Sequence, residues 1–99
     1  MFEIQISDDA LEDLQDGFWF YEAQETGAGD YFLTCLRADI EGLKFTAGIH
    51  RIVCQDYHWH LSRVFPYAVF YTFEENIATV WAVIDCRRDP KWIEEHLTK

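Results

Sequence analysis

A chain of 99 residues with 18 acids, 8 Lys/Arg and a formal net charge of −10 reads as one domain, residues 1–99, with no room for a second core. Hydrophobic content of 49% and aromatic content of 17% exclude disorder despite the charge, and no window reaches the ~18 consecutive apolar residues of a membrane span. A pI near 4.6 excludes attraction of nucleic acid by the surface as a whole.

In chain order, "FEIQIS" alternates Phe2, Ile4 and Ile6 with Glu3, Gln5 and Ser7, the period of a half-buried strand. The start lacks a basic region followed by an apolar one, so no signal peptide is expected. "SDDALEDL" opens a helix, with Ser7 or Asp8 as cap and acids in the first turn. Leu11, Leu14, Phe18 and Tyr21 keep a helical spacing until "ETGAGD". A second helix carries the apolar stripe Phe32, Leu36, Ile40 and Leu43 and ends near "FTAGIH". The two helices are predicted over about 8–26 and 28–46.

Past residue 50 the period becomes 2. "VCQDYHWHLSR" reads as a strand, then "YAVFYTF" and "IATVWAVID" form an antiparallel hairpin over 67–85 across the turn "EEN". "IATVWAVID" is apolar on both faces, as a central strand should be. Pro66 falls at a strand boundary, where its missing N–H breaks no ladder bond. Asp89 as cap and Pro90 at the first position open a short helix over 89–97. The expected class is α+β: β-α-α-β-β-β, a helical hairpin on an antiparallel sheet, with a short C-terminal helix. Trp19, Trp59, Phe70, Tyr71 and Trp81 fit the core stripes.

The charge is uneven. Residues 1–43 hold eleven acids and one base, Arg37, while residues 44–99 hold seven of each. The acids of the first part are expected on the solvated side of the helical hairpin. The cations gather late, in Arg63, Arg87 and Arg88.

Two constellations carry candidate chemistry. Arg63, Arg87 and Arg88 suit a phosphate, because a guanidinium fork matches its oxygens. Cleaving RNA would also need a base, for which Asp85, His58 and His60 are the candidates. The alternative is that Arg87 or Arg88 pairs with Asp85, Asp89 or an acid near the C-terminus and fastens the last helix. Second, Cys54, Asp56, His58 and His60 share one face if residues 54–60 form a strand, about 7 Å apart per step. They are weak metal candidates, against the plainer reading of a wet edge-strand face. Cysteines at 35, 54 and 86 are odd in number and irregular in spacing, which reads as reduced thiols in a cytoplasmic protein. No cofactor is called for.

Arg63, "FPYAVFY" (Phe65–Tyr71), the acidic turn, the apolar strand and "RRDP" (Arg87–Pro90), in that order, resemble the RelE/ParE superfamily of toxins from bacterial type II toxin–antitoxin systems, nearest its plasmid-stabilisation branch. The resemblance implies a toxin wrapped and neutralised by a small antitoxin. It implies one of two targets: DNA gyrase for ParE-like members, or messenger RNA cut on the ribosome for RelE-like ones. Arg63, Arg87 and Arg88 match the family's arginines. Asp85 stands where the branch usually has histidine, and the chain is acidic where ribosome-dependent toxins are basic. Three readings follow: a target-inhibiting, ParE-like toxin; a ribosome-dependent endoribonuclease; and a degenerate binding module of the same fold. The acidic hairpin implies an antitoxin with a basic toxin-binding tail. A sheet edge and the groove between helices and sheet are the expected antitoxin surface, and without an antitoxin that apolar surface favours a two-fold homodimer.

Overall fold

A computed structural model describes residues 3–47 and 57–97, with 51–54 and 98 described for the main chain only. Ser7 is the cap of α1 (Asp8–Glu22). Its hydroxyl accepts from the Ala10 N–H at 3.1 Å, and Asp8 and Asp9 occupy the first turn, where the helix dipole favours them. The helix stops short of residue 26. The Glu22 carboxylate instead accepts from the N–H groups of Gly27 at 3.1 Å and Gly29 at 3.0 Å, and Gly27 takes a φ of 93° that a side chain would resist. This arrangement satisfies donors at the start of α2 (Ala28–Glu41). Gly42 separates α2 from a short α3 (Leu43–Thr46), so the predicted second helix is two.

Five strands form one sheet in the order β1-β5-β4-β3-β2: β1 (Glu3–Ile6), β2 (Arg51–Cys54), β3 (Tyr57–Leu61), β4 (Tyr67–Glu74) and β5 (Ile77–Asp85). With α4 (Pro90–Thr98), this is the expected α+β architecture. Two features refine it. The segment read as one strand, "VCQDYHWHLSR", is two antiparallel strands, with a register shift between Ile52 and Cys54. And β1 joins the sheet parallel to β5, Glu3 opposite Ile77 through Ile6 opposite Val80, which makes the sheet mixed. A parallel neighbour needs a long connection, and the helices with β2–β4 supply it. Phe2 lies outside the described residues.

The β4–β5 hairpin turns on two residues, Glu75 (φ 50°) and Asn76 (φ 67°), a left-handed pair that matches the sheet twist. Along β4, Tyr67, Val69 and Tyr71 face the helices while Ala68 and Phe70 face α4. β5 follows the same alternation until a bulge: Phe70 pairs with Ala82 and Tyr71 with Val80, leaving Trp81 unmatched. The extra residue shifts the alternation, so Ala78, Val80 and then Val83 all reach the helix face.

The core therefore has two parts. Ala10, Leu14, Phe32, Leu36, Ile40 and Leu43 pack on one face of the sheet. On the other, Leu97 and Ile93 of α4 cover Ala68, Phe70, Ala82 and Ile84. Asp89 caps α4 as expected, accepting from the Lys91 N–H at 2.8 Å. Phe70 and Tyr71 are core residues, but Trp19 (61% exposed) and Trp81 (43%) are not. Trp19 lies on the outward side of α1, and the bulge leaves Trp81 with its indole N–H on the Thr72 hydroxyl at 2.8 Å. Leu11, counted in the apolar stripe, is also exposed.

Candidate functional site

The Phe-Pro-Tyr element is the turn that positions the site. The Tyr67 N–H bonds the Phe65 carbonyl at 2.7 Å across Pro66, a three-residue turn that suits proline's fixed φ. The Ser62 N–H bonds the Tyr67 carbonyl at 2.8 Å, and the Cys86 N–H bonds the Pro66 carbonyl at 2.8 Å. The last bond ties the turn holding Arg63 to the end of β5, where Arg87 and Arg88 follow. All three arginines thus sit at one end of the sheet.

Their environments differ. Arg63 is exposed and forms no ion pair among the described residues. Arg87 grips Asp85 with Nε at 2.9 Å and Nη2 at 2.7 Å, and its own N–H adds a third bond at 2.9 Å. That fork is the strong geometry for a guanidinium and a carboxylate. It holds the Asp85 carboxyl below its ordinary range, burial opposing, and raises Arg87 in turn. The pairing expected for one of the two arginines is made by Arg87. Arg88 lies over the Trp92 ring at 4.2 Å, and Trp92 stacks on His96 at 4.8 Å. Trp92 and His96 are four residues apart, one turn of α4, and Arg88 lies four residues before Trp92, ahead of the helix.

Under the arginines is an aromatic cluster. Tyr21 lies 4.8 Å from Phe65, and Phe32 lies 4.9 Å from Tyr67, between ring centres. Burial pushes the Tyr67 hydroxyl up to about 12, helped by Tyr21 and Asp85 and opposed by Arg87 and Arg88. Burial also raises Tyr21, opposed by the Arg87 charge beside it. Neither Asp85, held ionised by Arg87, nor Tyr67, held neutral, is poised as a base near pH 7. His58 and His60 pair in register with Tyr71 and Val69, inward from the Tyr67–Asp85 end.

The face shared by Cys54, Asp56, His58 and His60 does not survive as drawn. The strand breaks, with Cys54 in β2 opposite Tyr57; Asp56 and the Cys54 side chain lie outside the described residues. β3 is an inner strand, so the wet edge-strand reading fails too. His58 stacks on Tyr71 at 5.1 Å, and His60 Nε2 stands 3.9 Å from the Asp39 carboxylate of α2. Among the described residues, no three His, Cys, Asp or Glu side chains form a metal-sized cluster.

Asp8, Asp9, Glu12 and Asp16 are exposed as expected, but one acid of α1 departs from expectation. Asp13 turns inward: it accepts the Val83 N–H at 3.0 Å and faces His96 Nε2 at 3.4 Å. Asp13 and Asp16 share a groove with Asp85, Arg88, Trp92 and His96. They lie beside the arginine-bearing end because α1 packs across β5. Sequence reasoning missed Asp13, Tyr21, Trp92 and His96. The Arg88–Trp92–His96 spacing was the one visible signal.

The Asp85 pair makes a pH prediction. A carboxyl lowered in the folded state contributes stability that is fully present above its unfolded value of 3.8 and is lost as pH falls through the lowered native value. Asp85→Asn is expected to flatten that part of the acid limb of a urea-midpoint profile. An unchanged acid limb would show the fork to be energetically idle.

Among curated proteins, none matches the sequence. In fold, the chain is similar to a solved chain described as the chromosomal ParDE TA system from P. aeruginosa, with a TM-score of 0.78 and 9% identity. The match covers 86% of this chain and 96% of that one, and at such identity it speaks to fold alone. The family model described as ParE toxin of type II toxin-antitoxin system, parDE, matches residues 4–90. That match spans β1 through the Arg-Arg-Asp-Pro element, and the chain belongs to the ParE toxin family of the RelE/ParE superfamily.

Proposed function

We propose that the protein is the toxin of a cytoplasmic type II toxin–antitoxin pair that arrests growth by binding and inhibiting a cellular target, DNA gyrase first among the candidates, and that a cognate antitoxin neutralises it. The observation that carries this reading over RNA cleavage is the Arg87–Asp85 fork. The residue that replaces the branch's histidine is an engaged carboxylate, depressed by its partner and unsuited to accept a proton. What the sheet end offers a target is recognition: Arg63 open to solvent, Arg88 braced on Trp92, and a fixed backbone between them. The net charge of −10 opposes approach to ribosomes or naked DNA and favours a protein target.

The test is controlled expression in a bacterial host, with growth, messenger-RNA integrity and plasmid supercoiling followed together. Growth arrest with loss of negative supercoiling and intact messenger RNA is expected. Arg63→Ala and Arg88→Ala are each expected to relieve the arrest, with stability changed by no more than about 1 kcal/mol, as for exposed arginines generally. Messenger-RNA cleavage would transfer the assignment to the ribonuclease class. Absence of any phenotype would leave the binding module.

A further inference from the structure

A groove of about 300 Å³ opens beside the end of β5. β1 pairs with β5 only as far as Val80, so residues 81–85 have no strand on that side and α1 closes over them. One wall is α1, with Asp13, Asp16 and Phe20; the other includes Arg88, Trp92 and His96. Most of the charge here is already engaged. Asp13 holds the Val83 N–H and faces His96, Asp85 is gripped by Arg87, and Arg88 lies on Trp92. Asp16 differs: it is exposed and forms no ion pair among the described residues. Phe20, one helical turn on and 51% exposed, presents an aromatic ring beside it.

We propose that this groove receives a basic side chain, arginine or lysine, from the antitoxin's toxin-binding segment, with Asp16 as counter-ion and Phe20 as the surface for the methylenes. The inference rests on the antitoxin reading above and gives it a location. Charge selects the occupant. Residues 1–43 account for the entire net charge of −10, and α1 lies within them. A second copy of the chain would bring that charge against itself, and an acidic segment would meet Asp16. Arg88 on the opposite wall directs an incoming cation to the α1 side. An amphipathic side chain fits this combination, with its stem on the ring and its charge at the carboxylate.

The experiment titrates the ¹⁵N-labelled full chain with acetyl-Leu-Arg-Leu-amide and, separately, acetyl-Leu-Glu-Leu-amide. Saturable shifts of Gly17, Phe20 and the Trp92 indole are expected with the arginine peptide only. Asp16→Asn is expected to weaken binding on the order of threefold, the range of an exposed ion pair, without altering the circular dichroism spectrum. Shifts that are absent, that map elsewhere, or that Asp16→Asn leaves unchanged overturn the proposal. Growth rescue by an antitoxin whose affinity Asp16→Asn leaves untouched would also overturn it, with the antitoxin reading intact. Peptide binding at the groove, in a toxic chain that no antitoxin rescues, would instead remove the antitoxin reading and with it the identity of the occupant.

Discussion

Phe32→Ala is expected to lower the folding free energy by about 3–5 kcal/mol, read as a shifted urea midpoint. Phe32 is fully buried, and its ring centre lies 5.2 Å from Tyr21, 5.2 Å from Phe65 and 4.9 Å from Tyr67. It joins α2 to α1 and to the turn under the arginines, so the cavity opens where the helical layer meets the functional end of the sheet. A second variant tests the cause. A Cβ on Gly17 would stand 2.4 Å from Phe32 Cζ, so Gly17→Ala alone forces the ring to move. In the Phe32→Ala background that clash is gone. Gly17→Ala is then expected to be close to neutral, a coupling that a double-mutant cycle measures directly. Simple additivity would mean that the two residues do not meet as described.

The second large effect is expected at Asp13. Asp13→Ala removes the acceptor of the Val83 N–H, bonded at 3.0 Å on the edge that β1 leaves uncovered. A main-chain donor left unsatisfied costs about 1–3 kcal/mol, and the lost His96 contact adds to it. Amide exchange distinguishes this from a general loss of stability. Val83 should lose protection ahead of Val69, its partner on the other side of the ladder. Equal loss at both would assign the effect to α1 as a whole. Because Asp13 also holds α4 through His96, the same substitution should loosen the helix that carries Trp92.

These two residues show where sequence reading succeeds and where it stops. Phe32 was legible: it sits in a stripe with Leu36, Ile40 and Leu43, and a 3.6-residue period marks a buried face whatever that face meets. Asp13 was not. An acid among acids at the start of a helix reads as solvated, and only the end of β1 opposite Val80 exposes a donor for it to satisfy. Trp19 and Trp81 failed for the reverse reason. Helical spacing does not say which side of α1 is covered, and a one-residue bulge changes which way Trp81 points.

The sequence by itself determined the element types, the α4 cap, the hairpin, the placing of Pro66 at a strand boundary and, through the Phe-Pro-Tyr and Arg-Arg-Asp-Pro pieces, the family. Each of these rests on local chemistry: period, cap, turn residue, motif order. Only the tertiary structure decided the parallel seating of β1, the inner place of β3 with its histidines, and which arginine of the adjacent pair takes Asp85. Strand patterning encodes a face but no direction, and which motifs share one end of the sheet depends on backbone bonds between residues far apart in the chain. The bond from Cys86 N–H to the Pro66 carbonyl is such a case. It joins two motifs twenty residues apart into one end of a sheet, where Arg87 finds Asp85 and Arg63 is left open to solvent.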